Sequence, residues 1–301
     1  MAGAFTAVDL SRLPFPDAVE QLDYEAILAA MLADLQARDP SFSALVESDP
    51  AYKILEVAAF RELLLRQRVN EAVKAVTLAY ATGADLDNLA ANYNVERLLI
   101  VPANPNAIPP TPAVYESDTE LRRRVQLSFE GFSTAGPMGA YIFHALGADG
   151  RVLDVGVYGP PETPGVVQVA VLSRNGDGTA PSDLVAAVNS TLSAETVRPL
   201  TDAVQVKSAE IVPYTVVASL KMFDGPDPEV VLQAAQNALD LYVERQHRMG
   251  RDVTLSGLYA ALHQEGVQNV ILAEPPADIV VAWDQASYCT GTTLTFGGVD
   301  D

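Results

Sequence analysis

Hydrophobic positions along the first hundred residues recur at helical spacing. Tyr24, Ile27, Leu28, Met31, Leu32 and Leu35 follow the i, i+3, i+4, i+7 rule for one buried face, with Asp23 placed to cap the helix and Pro40 to end it. A longer apolar pattern follows in "SDPAYKILEVAAFRELLLRQRVNEAVKAVTLAYATG". There Asp49 is the cap, Pro50 takes the first helical position and Gly83 closes the end. At 1.5 Å per residue this second helix is expected to be roughly 45–50 Å long.

On a helical wheel the long helix carries two apolar stripes. Ile54, Ala58, Leu65, Val69, Ala72 and Val76 form the first, and Val57, Phe60 and Leu64 form a second along the N-terminal half. A helix apolar on two faces must be buried on two faces. The second stripe is covered either by the chain's own helices or by another chain, and the residues alone leave both open.

The stretch "TGADLDNLA" holds Asp85 and Asp87 one residue apart. Read as a helix start, Asp85 caps a short helix burying Leu86, Leu89, Ala90 and Tyr93, and Asp87 sits in its first turn, where the helix dipole favours negative charge. A metal site would need further ligands, and neither a nearby histidine nor a phosphate-binding glycine loop is present. Capping is the reading carried forward.

"VPANPNAIPPTPA" then interrupts both helix and central strand with five prolines, and is expected to be an extended connector. Ser117 and Glu120 make a capping box before "LRRRVQLSFEGF", and another helix begins near Pro137. Beyond it the period changes from helical to alternating. "RVLDVGVYG" and "VVQVAVLS" read as a hairpin, a helix starts at about Ser182, and "AVQVKSAEIVPYTVVASLKMF" reads as a further strand pair with Pro213 at a bulge, edge or turn. A helix follows carrying Val231, Ala234, Ala235, Ala238, Leu241 and Tyr242, then a shorter one with Leu255, Leu258, Tyr259 and Leu262. Strands around "VQNVILAE", "DIVVAW" and "TTLTF" complete the chain.

This order is α+β: a helical N-terminal region (1–101), a Pro-rich linker (102–112), then a central lobe (113–206) and a C-terminal lobe (207–301) with antiparallel hairpins. With 49% of its 301 residues hydrophobic, the chain can bury cores of that number and size.

Charge narrows the function. The formal net charge of -20 repels nucleic acid and anionic lipid, so the expected partners are proteins. A single cysteine, Cys289, rules out an intramolecular disulfide framework, and no apolar run reaches the eighteen residues needed to span a bilayer.

Searches for chemistry end in structural readings. His144, His247 and His263 lack a second histidine or cysteine at i+3 or i+4, so no zinc site is expected, and "HRMGRD" fits a basic helix end stopped by Gly250. "SRNGDGTAPSD" lacks EF-hand spacing and reads as a loop leading to a cap at Ser182. No nucleophile elbow or phosphate-binding glycine pattern occurs. Paired carboxylates for glycoside hydrolysis are defined by spatial separation and stay open from sequence. The arginines of "LRRRVQLSF" point in three directions on a helix, which suggests salt bridges to an acidic surface of this chain or of another subunit.

Four stretches together resemble the baseplate J-like family of contractile-tail wedge proteins: "ESDPAYKILEVAAFRELLLRQRVNEA", "YATGADLDNLA", "ESDTELRRRVQLSFEGFSTAGPMGAYIFHALGADGRVLDV" and "VRPLTDAVQVKSAEIVPYTVVASL". They occur in order over most of the chain, and the part after about Thr290 carries little of the resemblance. The resemblance implies a non-enzymatic structural component, without cofactor, that dimerises within each of six wedges around a tail hub and contacts other wedge and hub proteins. It also implies assembly in the bacterial host cytoplasm and a rearrangement that triggers sheath contraction. The N-terminal helices would join a bundle, giving Val57, Phe60, Leu63 and Leu64 a partner. The alternative is a tail-associated glycan hydrolase using paired carboxylates.

Overall fold

The computed structural model describes residues 8–14, 16, 20, 22–132, 137–225 and 227–300. The chain divides into two compact units, one built from residues up to 96 together with 117–125, the other from 97–116 and 126 onward.

The first unit is helical. α1 (Tyr24–Arg38) starts where Asp23 accepts a hydrogen bond from the Ala26 amide at 3.0 Å, and it stops just before Pro40. α2 (Pro50–Ala75) begins with Pro50 in its first turn. It spans 26 residues, about 39 Å at 1.5 Å per residue, and so is shorter than expected. Val76 is its C-cap, and the turn after it closes through the Ala81 amide donating to the Thr77 carbonyl.

Gly83 does not close α2. It opens α3 (Gly83–Ala91) with φ of +53°, a conformation glycine adopts without a Cβ penalty. Asp85 is correspondingly a first-turn residue and not the cap, and Asp87 lies beyond the first turn. The cap comes from elsewhere: the Asp118 carboxylate accepts from the Gly83 amide at 3.2 and 3.3 Å.

α4 (Asp118–Gly131) opens with the expected capping box, Ser117 and Glu120 exchanging side-chain to backbone bonds at 3.2 and 3.3 Å. Two of its arginines bind main-chain carbonyls. Arg122 donates to the carbonyls of Leu78 and Ala81, both at 2.7 Å, and the buried Arg124 donates to the Glu96 carbonyl at 2.9 Å. These guanidinium groups hold the main chain on either side of α3. A forked cation suits orphan carbonyls at helix ends.

In the second unit the proline-rich stretch folds back on itself instead of running on as a connector. β1 (Leu99–Val101) pairs antiparallel with β2 (Val114–Tyr115), and Asn104 and Thr111 bridge the same ribbon nearer its tip.

Two helix-on-sheet layers follow, each a three-stranded sheet covered by two helices. The central sheet has the order β3-β4-β5: β3 (Val152–Tyr158) runs antiparallel to β4 (Val166–Ser173), and β5 (Ala203–Ser208) runs parallel to β4. α5 (Met138–Ala148) and α6 (Ser182–Leu192) cover it, with Tyr141, Ala145, Leu184, Val188 and Leu192 packed on Val155, Val169 and Val171. Pro181, not Ser182, is the N-cap of α6. The C-terminal sheet has the order β7-β6-β8. β6 (Glu210–Met222) lies between antiparallel β7 (Val267–Glu274) and parallel β8 (Gln285–Val299). α7 (Pro228–Gln246) and α8 (Leu255–Leu262) cover this sheet through Val231, Ala235, Leu239, Leu258 and Leu262. On α7 Leu239 belongs to the buried face, whereas Leu241 is exposed.

Two strand expectations are corrected, and the edge placement of Pro213 is met. β5 and β6 are not a strand pair; they belong to different sheets, joined through Ala209, whose amide donates to the Val171 carbonyl at 2.8 Å. Pro213 sits where β6 is paired to β8 alone, before pairing with β7 begins at Val217, so its missing N–H falls on an open edge. "DIVVAW" forms no strand: Ile279 makes a single bridge to Val253, and the Val281 amide donates to Asp252 at 2.9 Å.

Candidate partner interface

α1 and α2 share a small seam in which Ile27, Leu28 and Ala59 are buried, with Tyr24, Met31, Leu32, Tyr52, Leu55 and Leu63 packed against them. The face of α2 turned to α1 therefore follows Tyr52, Leu55, Ala59 and Leu63, three to four residues apart. Two polar residues continue the same stripe. Arg66 pairs with Glu62 and, at 3.3 Å, with Glu20. Asn70 is buried, donating to the Glu20 carbonyl at 2.7 Å and accepting from the Glu20 amide at 2.8 Å. This two-way amide bond ties α2 to the segment before α1.

Hydrophobicity alone selects a different stripe as the buried one, and the structure corrects it. Ile54, Leu65, Val69 and Val76 are exposed, Leu65 to 67%. Val57, Phe60 and Leu64 are exposed as well, Phe60 to 52% and Leu64 to 40%. The two stripes lie about 120° apart at 3.6 residues per turn. Of the four residues singled out for a partner, Val57, Phe60 and Leu64 face outward together, and Leu63 is half-buried in the seam. The spacing of Tyr52, Leu55, Ala59, Leu63, Arg66 and Asn70 was available in the sequence, but two polar members disguised it.

Beside the outward face, Tyr24, Glu56, Val57, Phe60 and Arg61 line a shallow depression. A groove of about 620 Å³ runs along the other side of the helix pair, lined by Asp23, Asp34, Glu62 and Arg66 among others. Its acids already hold structural posts: Asp23 caps α1, Asp34 pairs with Arg38 and Glu62 pairs with Arg66.

His144, His247 and Cys289 sit in structural surroundings, and His263 is the C-cap of α8. Burial lowers the His144 pKa, against a weaker opposing hydrogen bond with the Gly131 backbone. His247 is the C-cap of α7, three residues before Gly250, and its Nδ1 lies 2.7 Å from the Ser287 carbonyl oxygen. Burial raises the Cys289 thiol pKa, which disfavours the thiolate. Among the described residues no group of three or more His, Cys, Asp or Glu is arranged to hold a metal ion, and no helix is long and apolar enough to cross a membrane.

Comparison with known proteins gives concordant matches along the chain. Residues 47–104 match the Baseplate J-like N-terminal domain, 133–208 the Baseplate J-like central domain and 214–295 the Baseplate J-like protein C-terminal domain. Baseplate protein J of Escherichia phage P2 is 50% identical over 301 residues, covering 98% of this chain and 99% of that one. A cryo-EM structure of the anti-feeding prophage baseplate, six-fold symmetrised, is similar at 17% identity with a TM-score of 0.40. That match covers 60% of this chain but only 42% of the other, so the chain spans less than half the length of that relative.

Proposed function

The chain belongs to the Baseplate J-like family, and from that premise we propose that it is a structural wedge component of a contractile-tail baseplate, working by contact and not by catalysis. It assembles in the host cytoplasm with other wedge and hub proteins, dimerises within each of six wedges, and ends in the baseplate of a virion tail or tail-like particle. The helical region (1–101) is the bundle-forming part, and the central (113–206) and C-terminal (207–301) lobes make the remaining ring contacts.

The outward face of α2 is the observation that carries the reading. Val57, Phe60 and Leu64, flanked by Leu63 at the seam, form the proposed partner face, and Ile54, Leu65, Val69 and Val76 add a second exposed stripe about 120° around the helix. Covering a half-exposed Val, Leu, Ile or Phe contributes about 1 kcal/mol, so these exposed residues together offer on the order of 5–7 kcal/mol before the cost of association. A monomer gains nothing from that surface, and a bundle gains all of it. Rearrangement then requires two packings of such interfaces separated by modest free energy, one before sheath contraction and one after.

A tagged chain produced with its neighbouring tail proteins tests the proposal by affinity capture, mass spectrometry and negative-stain microscopy. Recovery in a wedge or six-fold ring is expected. A lone monomer under those conditions contradicts it.

A further inference from the structure

The β1–β2 ribbon is an uncharged arm on a strongly acidic molecule. From Leu98 to Tyr115, "LLIVPANPNAIPPTPAVY", there is no Asp, Glu, Lys, Arg or His, in a chain that is 19% charged and carries a net charge of -20. The arm is also apolar on its surface. The cross-strand pairs Leu99–Tyr115 and Val101–Val114 are all exposed, and Ile108 near the tip is 100% exposed. A two-stranded ribbon this short is marginal by itself in water, so its base must be held.

The base is held firmly. Glu116 is buried, its carboxylate accepting from the Leu98 amide at 2.9 Å, while its own amide donates to the Leu98 carbonyl at 3.0 Å. Arg97 donates to the Glu116 carbonyl at 2.8 Å. Gly150 lies against the root of β1 so closely that a methyl group there would fall 2.2 Å from the Leu99 carbonyl oxygen. Toward the tip, Asn104 and Thr111 exchange backbone bonds at 2.9 and 3.1 Å. Charged residues thus root the arm and none decorates it.

We propose that this arm is a homotypic contact, packing against the same arm of a second copy of the chain. Two copies of net charge -20 repel wherever their acids face each other, and an uncharged surface is where they approach at least electrostatic cost. A basic partner would instead be met by acids, which the arm lacks. A standard interface uses about 20–30 residues a side, so eighteen supply most of one half. Pro102, Pro105, Pro109, Pro110 and Pro112 stiffen the chain and remove amide donors, so the arms meet through side chains and not by adding strands. The inference deepens the self-association proposed above and rests on it.

Sedimentation of the purified full chain over a range of concentrations tests it, with Val101→Ser/Tyr115→Ser and Ile108→Ser as arm variants and Phe60→Asp as the helical-face variant. The double arm variant is expected to weaken self-association at least about tenfold with its melting temperature unchanged, because the altered side chains are exposed. Ile108→Ser weakens it less, and Phe60→Asp leaves it intact. Raising ionic strength tightens the wild-type contact by screening repulsion between copies. Arm variants that associate like wild type, a wild-type chain monomeric throughout, or self-association abolished by Phe60→Asp alone each overturn the arm contact. If the wild-type chain is nevertheless captured with tail proteins, the wedge reading stands; if it is not captured at all, that reading fails as well.

Discussion

α2 and β4 are both rich in hydrophobic residues, yet they spend them differently. The last five residues of β4, Val169–Ser173, are buried in sequence between α5, α6 and the neighbouring strands. In the 26 residues of α2 only Ala59 and Asn70 are buried, while Ile54, Val57, Phe60, Leu64, Leu65 and Val69 are exposed, as is Val76 at its C-cap. The lobes are finished by their own chain. The helical unit leaves apolar surface uncovered by its own chain, and the proposal is that another chain covers it.

The largest expected effect separates these regions by stability. Leu184→Ala or Leu239→Ala removes a fully buried side chain from a lobe core and should cost about 3 kcal/mol in chemical denaturation of the isolated chain. Leu65→Ala, on the outward face of α2, should change it by less than about 0.5 kcal/mol. Comparable losses would mean that α2 is buried within the monomer and would erase the contrast.

Next in size is Asn70→Ala. It strands the donor and acceptor of Glu20 and should cost about 2 kcal/mol, read as faster hydrogen exchange in the helical unit with the lobes unaffected. A uniform change through both units would show that they unfold as one.

The smallest effect lies at the surface of the central lobe. Arg151 pairs with Asp149 at 2.8 Å and Asp183 at 2.7 Å, and its hydrogen bonds hold both carboxyl pKa values below the ordinary range. Lowered folded-state values contribute stability above the unfolded pKa, near 4, and lose it as pH falls through the folded values. Solvent screening keeps the contribution small. Arg151→Ala should lower the melting temperature by a few degrees at most at neutral pH, and the difference should vanish in acid. A difference that grows in acid would reverse the sign of this linkage.

How far the sequence revealed this arrangement depends on how local each determinant is. The α1 cap, the capping box at Ser117, the helix from Met138 and the β3–β4 hairpin rest on residues close together in the chain, and all are where local chemistry puts them. Non-local determinants were hidden. The α3 N-cap, Thr82, makes no side-chain capping bond, and the carboxylate that binds the first amide is Asp118, 35 residues past Gly83, so Asp85 looked like the candidate. β5 pairs parallel to β4 across α6, a partner that alternation cannot identify. On α2 the apolar periodicity was real but described exposed surface, whereas the intrachain stripe ran through Arg66 and Asn70. Hydrophobic pattern marks what will be buried; it does not say by which chain.

The central claim, that the outward face of α2 is where the baseplate takes hold of this chain, is tested most directly by Phe60→Asp in cells producing the neighbouring tail proteins. The account predicts a folded variant, with the melting temperature of the wild type, that no longer appears in wedges or six-fold rings by negative stain. Rings that assemble normally around the aspartate would contradict it.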